Sequence, residues 1–425
     1  MFKSRFLLLI MVALITGCGN QKIIDSTQPD VELDVDRKVQ IEIWHTYSEE
    51  ETRIFEKELI PLFEMEYPTI DVKPVRQPYN DQLMSAIVSR ASSNKPPDIV
   101  RMDIVWQSKY ADLELLYPVS NFEDFNKIKE RFYDEPLKSN RYEGNYYGLP
   151  LNTNTKIAIY NRETLEKLGL RNPPEKMEEL INLVEENGLM IGMSDIDTWN
   201  SLPYLYGLGG KLTNPEETKA TGYLDSEESI SAVEKLVELY QKEMLNRNLL
   251  GGRPDLWEGI RVGSYFMIDE GPWFYSINTK EEIDKIRKET VAAPFPTHNG
   301  IGSVLGGENL IITRGSKHVE ESWTFLKWMT TETPQQMLLQ TGQLPTNKNV
   351  KMSGVFEQYP YYLNYLNSLD QAFLRPTVSE WRRIEEIYAS YLRKIFSGTI
   401  SVREGLSKAA TEIDIMLQSK KDKNT

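Results

Sequence analysis

Tryptophan residues with polar sequence neighbours are the residues of this chain best suited to ligand chemistry. Five of the eight tryptophans fall at or near the ends of predicted segments: Trp44, Trp106, Trp199, Trp273 and Trp381. Polar residues adjoin four of them: His45, Asp197, the pair Asp269 and Glu270, and Arg382. An indole on a loop offers a flat apolar face on which a sugar ring can stack, while polar side chains bond the hydroxyls. The pattern indicates a sugar site, although a site for organic cations would use the same residue types.

Patterns typical of catalysis or metal binding are weak in this sequence. It contains no Gly-x-Ser-x-Gly elbow and no His-Glu-x-x-His motif, and it has only three His and one Cys. The Gly-rich stretch 300–306 lacks both the dinucleotide spacing and the Lys-Ser/Thr of a phosphate loop. Asp269 and Glu270 could be imagined as a glycosidase pair, but sequence neighbours rarely flank one bond from opposite sides. We therefore predict no catalytic residue, no metal site and no cofactor.

The length and the charge of the chain limit the number of globular units and the kinds of partner it can have. A chain of 425 residues suggests two or three globular units. Acidic residues outnumber basic ones by 63 to 49, and the net charge is −14, so a nucleic-acid partner is disfavoured because it would require a basic stripe. A hydrophobic content of 40% and a charged content of 26% are ordinary for a protein with a packed core.

The first 37 residues predict export and membrane attachment. Residues 1–17 have a positive start at Lys3 and Arg5 and an apolar run over 6–15, as a secretory signal peptide does. The only Cys, Cys18, follows Thr16 and Gly17 in a sequence that resembles a bacterial lipobox, which implies cleavage before Cys18 and acylation of its thiol. A free Cys behind an ordinary signal peptide is the alternative. Residues 18–37 read as a flexible tether, and no later apolar run is long enough to cross a bilayer.

Strands and helices alternate through the rest of the chain. Apolar alternation or short apolar runs predict strands over 39–44, 70–75, 98–102, 156–160 and 309–313. Helical periodicity predicts helices from Ser48 through a kink at Pro61, and over 80–93, 104–116, 175–187, 226–246, 317–331, 358–370, 379–397 and 401–419. Capping boxes pair Ser48 with Glu51 and Ser401 with Glu404. Trp323 and Trp328 occupy core positions. The alternation predicts α/β layers with mostly parallel sheets and a cleft between them.

Six groups of segments, in one order, resemble the bacterial extracellular solute-binding proteins of the carbohydrate-binding type, which include the maltose-binding protein and its lipoprotein relatives. They cover 38–419 and are, in chain order, 41–48; 96–103 with 111–119; 147–150 with 159–162; 267–273; 293–296 with 306–309 and 321–328; and 342–346 with 375–376 and Trp381. No single motif is decisive, but the shared order is a strong signal.

The resemblance implies an α/β protein with the two-lobe, type II periplasmic-binding-protein fold and a ligand cleft between lobes joined by crossing segments. The first lobe would comprise 38–150 and about 297–345. The second lobe would comprise 151–296 and about 346–419, and 420–425 would be a frayed tail. The lobes would close on the ligand by a hinge motion.

The resemblance also implies where ligand contacts lie. Trp273 would be the principal stacking ring and Trp381 the second, with Trp199 and Asp197 supplying an aromatic ring and an acid from the second lobe. The remaining expected contacts are His45, Thr46, Tyr47, Glu49, Asp103, Asn152, Asn154, Gly307, Glu308 and Arg382. Of the three acids at 49–51, only Glu49 is expected to reach the cleft.

Two classes of function follow. In the first, the chain is a monomeric, lipid-anchored receptor on the extracytoplasmic face of the membrane that delivers a carbohydrate to the transmembrane subunits of an ABC permease. In the second, it is an exported polysaccharide-active enzyme. Within the receptor class, polyamines, glycerol phosphates and metal chelates are alternative ligands, and both a cell-wall face and a periplasmic face fit the sequence.

Overall fold

The strands of this protein form two main sheets and one small hairpin. The computed structural model describes residues 38–252, 255–276 and 279–418. The predicted signal peptide 1–17, Cys18, the tether 18–37 and the tail 420–425 lie outside the described residues. The strands are β1 (Val39–His45), β2 (Ile70–Arg76), β3 (Ile99–Asp103), β4 (Arg141–Tyr142), β5 (Asn145–Tyr146), β6 (Gly148–Thr155), β7 (Ile157–Asn161), β8 (Ile191–Gly192), β9 (Met267–Glu270), β10 (Thr290–Ala293), β11 (Ser303–Ile312), β12 (Leu344–Pro345) and β13 (Ala372–Phe373).

Helices cover the two main sheets. They are α1 (Glu49–Ile54), α2 (Ile60–Glu66), α3 (Asp81–Ser92), α4 (Gln107–Asp112), α5 (Phe125–Ile128), α6 (Asp134–Lys138), α7 (Arg162–Lys167), α8 (Met177–Asn187), α9 (Thr198–Gly207), α10 (Glu227–Gln241), α11 (Leu256–Arg261), α12 (Trp273–Ser276), α13 (Lys280–Glu289), α14 (Val319–Met329), α15 (Glu332–Leu339), α16 (Ser353–Gln358), α17 (Tyr361–Leu369), α18 (Trp381–Phe396) and α19 (Val402–Gln418). Within the described ranges, no helix is long and apolar enough to cross a membrane.

The larger sheet has the strand order β12-β6-β11-β3-β1-β2, with β13 beside the start of β11. The smaller sheet has the order β10-β7-β9-β8. We refer to each sheet, with the helices that pack on it, as the first and the second lobe, respectively. Strand β1 runs parallel to β2 and β3, and β8 runs parallel to β9. Strand β11 runs parallel to β13 but antiparallel to β3 and β6, and the pairings of β12 with β6 and of β7 with β9 and β10 are antiparallel. The expectation of mostly parallel sheets is therefore wrong, and both sheets are mixed.

Alternation along the strands explains why each sheet is covered on both faces. In β1, Ile41 and Ile43 face a core that includes α1, α2 and α14, whereas Trp44 faces the core beside α3 and α4. In β7, Ala158 and Tyr160 face α8, α10, α18 and α19, and the alternate residues face α11 and α17. Trp323 and Trp328 are buried on α14, which confirms their predicted core positions.

The first predicted helix is interrupted, as Pro61 suggested. A π-helical turn over Phe55–Leu59 separates α1 from α2, and the Ile60 N–H donates to the Phe55 carbonyl just before the proline. The capping box of Ser48 with Glu51 is confirmed. The second predicted box is only half formed: Ser401 accepts from the Glu404 N–H, while the Glu404 carboxylate pairs with Lys408 at 2.7 Å.

The chain crosses between the lobes at Lys156, the one residue between β6 and β7. The predicted boundary at 150/151 falls within β6, which continues to Thr155. Strand β11 pairs with β6 from Leu305 opposite Thr155 to Ile311 opposite Gly148. The residue that precedes this crossing, Thr155, is therefore held in the antiparallel pairing of β6 with β11.

Candidate functional site

Two adjoining cavities lie at the ends of the first-lobe strands and extend to second-lobe aromatics. Their volumes are about 570 and 470 Å³, and they share Tyr79, Asn154, Trp273 and Glu308, so we treat them as one cleft. The carboxyl ends of β1, β2 and β3 meet there, which is where ligand sites of α/β sheets commonly form. Each cavity is of the size typical for small-molecule sites.

Arg101 lies at the centre of a network of polar contacts in the first-lobe wall of the cleft. Its side chain is only 3% exposed, and one of its nitrogens lies 3.0 Å from a Glu308 carboxylate oxygen. It donates to Thr46 at 2.7 Å, and its guanidinium lies 4.4 Å from the Tyr47 ring centroid. Asn152 donates to Glu308 at 2.6 Å. Burial raises the pKa of Glu308, and the charge of Arg101 opposes that rise. The network therefore fixes four predicted contact residues around a buried cation.

The second-lobe wall carries two half-buried indoles. Trp199 and Trp273 have ring centroids 6.2 Å apart and planes inclined by 36°. The Trp273 N–H donates to Glu270 at 2.7 Å, and Trp257 donates to the other oxygen of the same carboxylate at 2.8 Å. A Cβ at Gly271 would lie 2.3 Å from the Trp273 ring, so the Gly-Pro-Trp motif lets the indole fold over its own backbone. Glu270 thereby orients the ring that faces the cleft.

A buried ion pair lies behind Trp199. The Lys156 ammonium contacts an Asp269 oxygen at 2.5 Å and donates to Asn200 at 2.8 Å. The Tyr204 hydroxyl donates to the second Asp269 oxygen at 2.7 Å. The ammonium also lies 5.7 Å from the Trp199 ring centroid. Lys156, at the crossing between the lobes, is thus joined in one network to Asp269 and to the Trp199 ring of the cleft wall.

Two further carboxylates line the second cavity of the cleft. Asp103 accepts hydrogen bonds from the Tyr79 hydroxyl and from the Val105 N–H. Glu385 accepts from the Thr198 hydroxyl, and burial raises the pKa of its carboxyl. The cleft can therefore offer charged acceptors and amide groups beside a flat apolar ring.

Nine of the predicted ligand contacts line this cleft: Thr46, Tyr47, Asp103, Asn152, Asn154, Trp199, Trp273, Gly307 and Glu308. Gly307 adopts a φ of +138°, and a Cβ there would lie 2.3 Å from the Asn152 carbonyl oxygen. The glycine is thus required for the close pairing of β11 with β6, whatever approaches from the cleft.

The structure corrects the expectation for Trp381. Its ring is 2% exposed and packs in the second-lobe core, because Trp381, Ile384, Tyr388 and Leu392 form the apolar face of α18. Arg382 points away from that face, is exposed, and pairs with Glu386 at 3.2 Å. Neither residue lines the cleft.

Three other predicted contacts lie outside the cleft. His45 is fully buried at the end of β1, with ring centroids of Tyr47 and Phe55 at 5.2 and 5.0 Å. Asp197 caps α9 by accepting from the Asn200 backbone N–H at 2.8 Å. Glu49 is an exposed first-turn residue of α1.

Sequence reasoning missed several lining residues. Among the acids at 49–51, Glu51 lines the cavity instead of Glu49, and it accepts from Gln343 at 2.5 Å. Arg101 could have been found from the sequence, since it lies inside a strand predicted to be buried and a buried charge needs a partner. Tyr79, Arg375 and Glu385 lie in segments whose sequence gives no sign that they converge.

The comparisons with known proteins agree with this geometry. A family model described as bacterial extracellular solute-binding protein matches residues 58–363. A Brucella abortus protein named only as a binding protein is 23% identical over 85% of this chain and 89% of its own length. The multiple sugar-binding protein of Streptococcus mutans is 26% identical over 76% of each chain. The solved GacH receptor of Streptomyces glaucescens, studied unliganded and with acarbose, superimposes with a TM-score of 0.74 at 24% identity, covering 90% of this chain and 99% of that one.

Proposed function

The chain belongs to the bacterial extracellular solute-binding proteins, and we propose that it binds a sugar or an oligosaccharide between its two lobes and delivers it to an ABC importer. The observation that carries the proposal is the orientation of Trp273. Its half-buried indole is fixed by the Glu270 carboxylate and stands in the wall of a cleft that is also lined by many hydrogen-bonding side chains.

This combination suits a sugar because a pyranose has two kinds of surface. Its C–H face stacks on an indole, while its hydroxyls each donate and accept hydrogen bonds. Asn154, Asp103 and Glu308 stand beside Trp273 and supply the matching partners. Two relatives support the same class: the streptococcal protein is named for binding multiple sugars, and the GacH receptor was solved with acarbose.

An enzymatic role is less well supported by the carboxylates. Asp269 is held by the Lys156 ammonium, and Glu270 accepts from two indoles, so both members of the imagined glycosidase pair have structural partners. Glu308 is likewise paired with Arg101. A retaining or inverting mechanism needs two carboxyl groups that face one bond. We therefore propose a receptor, and recovery of the sugar intact after prolonged incubation tests that choice.

We further propose that Cys18 becomes the acylated first residue of the mature chain and that 18–37 tether a monomeric receptor to the extracytoplasmic membrane face. Two acyl chains would suffice for stable attachment. Metabolic labelling with a palmitate analogue checks this, with Cys18→Ser as the control that loses the label.

The binding proposal is tested by a thermal-shift screen against oligosaccharides, polyamines and sugar phosphates. We expect an oligosaccharide to raise Tm, and Trp273→Ala to weaken its binding at least ~10-fold while leaving the ligand-free Tm nearly unchanged. The matched control is Tyr133→Ala, which removes an exposed ring that lines neither cavity. Full affinity in Trp273→Ala would reject the assignment of this ring, and a shift with polyamines alone would reject the sugar.

A further inference from the structure

One buried guanidinium in the cleft wall lacks a protein partner. Arg375 is 6% exposed and lines the cavity that also contains Trp199 and Trp273. Its guanidinium carbon lies 5.1 Å from the Trp199 ring centroid, and its buried Nε has no hydrogen-bond partner. Within the described ranges, no ion pair or hydrogen bond joins Arg375 to another residue. A buried charge left in this state is costly unless something else supplies the counter-charge.

The other buried cations of this region are treated differently. Arg101 is equally buried but pairs with Glu308 at 3.0 Å and donates to Thr46. Lys156 pairs with Asp269. For both of these cations the protein itself provides the counter-ion. All three cations lie close to an aromatic ring, but Arg375 alone among them has no ion pair and no hydrogen bond within the described residues.

The carboxylates nearest to Arg375 form no ion pair with it within the described residues. Glu385 and Asp103 line the same cavity as Arg375. Glu385 accepts from Thr198, and Asp103 accepts from Tyr79 and Val105, so each is oriented by a neutral donor of the protein. These acids offset part of the charge of Arg375 through space, but neither accepts a hydrogen bond from it.

We infer that the solute carries a carboxylate, as in a uronic acid residue, and that Arg375 receives it inside the cleft. A guanidinium presents two parallel N–H groups that match the two oxygens of a carboxylate. Its guanidinium carbon lies 5.1 Å from the Trp199 ring centroid, so the fork would sit beside one indole while Trp273 provides the ring for the sugar body. The inference rests on the proposed sugar-binding function and specifies the chemical class of the sugar.

The test compares sugars that differ only at the acidic group. Isothermal titration uses two matched pairs: digalacturonic acid with α-1,4-linked galactobiose, and cellobiouronic acid with cellobiose. We expect the acidic member of at least one pair to bind about 10- to 100-fold more tightly, and more weakly as salt rises. Preference for the neutral members would overturn the inference and leave the receptor function intact. Failure of every sugar in this set and in the broader screen would count against both. Binding of sodium sulfate or acetate as tight as that of the uronic acids would reduce the site to a simple anion site and overturn the inference.

Two variants separate ligand binding from a structural role. Arg375→Met keeps an apolar side chain against Trp199, and we expect it to bring the acid-to-neutral affinity ratio close to one. Because it removes a buried charge that has no ion pair or hydrogen bond within the described residues, it should leave the ligand-free Tm unchanged or raise it. The control Arg101→Met should lower Tm, since it strands Glu308. An Arg375→Met protein that keeps the acid preference, or that loses as much stability as Arg101→Met, refutes the inference.

Discussion

The ion pair at the crossing between the lobes gives a prediction that can be worked from the structure. Lys156 and Asp269 have side chains that are 3% and 1% exposed, and their charged atoms are 2.5 Å apart. In Lys156→Met, Asp269 keeps the Tyr204 hydroxyl but loses its only cation. Breaking a buried pair from one side typically costs about 3–5 kcal/mol, because the remaining charge stays buried.

The corresponding shift in melting temperature follows from the size of the folded unit. An unfolding entropy of about 2.1 cal/mol/K per residue, taken over roughly 390 residues, gives about 0.8 kcal/mol per degree. We therefore expect Lys156→Met to lower Tm by about 4–6 °C in calorimetry. The double variant Lys156→Met/Asp269→Leu should recover most of that loss, since it leaves no charge behind.

A surface lysine provides the matched control. Lys235 is 33% exposed and bridges Glu185 and Glu238 at 3.1 and 2.7 Å. Lys235→Met should cost less than ~1 kcal/mol, because solvent screens an exposed pair. The reasoning is refuted if Lys156→Met is as stable as the Lys235→Met control, or if the double variant Lys156→Met/Asp269→Leu is no more stable than Lys156→Met.

Two further predictions concern buried groups near the cleft. Burial, assisted by the charges of Arg101 and Arg76, lowers the pKa of His45 to about 3, so stability should fall as the pH drops from about 6.5 towards 3. His45→Leu should weaken that dependence in urea unfolding at pH 7 and 4.5, and equal pH dependence in both proteins would contradict the assignment. Glu270→Gln should reduce sugar affinity about 3- to 10-fold in calorimetric titration, since Trp257 and Trp273 donate to different oxygens of Glu270 and Gln would turn an NH2 donor towards one of these N–H groups. Unchanged affinity would mean that the carboxylate does not orient the ring.

The sequence predicted the strands and their faces better than their directions. Alternation in β1 and the apolar run of β3 report burial, and both appear where expected. Whether two strands pair in parallel or antiparallel depends on which strands become neighbours in the sheet. In the larger sheet β11 enters between β6 and β3 and runs antiparallel to both. Nothing within residues 309–313 specifies that choice, so it could not be read locally.

The site shows the same limit. The resemblance predicted Thr46 and Asp103 as contacts, and both lie at the carboxyl ends of neighbouring strands, β1 and β3, which meet at one edge of the sheet. Trp381 was misplaced because a tryptophan at a helix start suits both a loop rim and a core stripe, although the apolar spacing of α18 favoured the core. Arg375 and Glu385 lie close together in the sequence but far from Trp199, and only the tertiary structure brings them beside that ring.

The position of β11 has a consequence for the order in which the chain can fold. Strand β3 ends at Asp103, but its neighbour on the other side ends only at Ile312, about 210 residues later. At a synthesis rate of about 5–20 residues per second, the edge of β3 waits roughly 10–40 s for its partner. During that interval the strand exposes unpaired N–H and C=O groups, which invite pairing with other chains. The first-lobe sheet therefore cannot be completed before the second-lobe strands β7 to β10 have been made, and an expression strategy that releases the first 150 residues alone would yield an open sheet prone to aggregation.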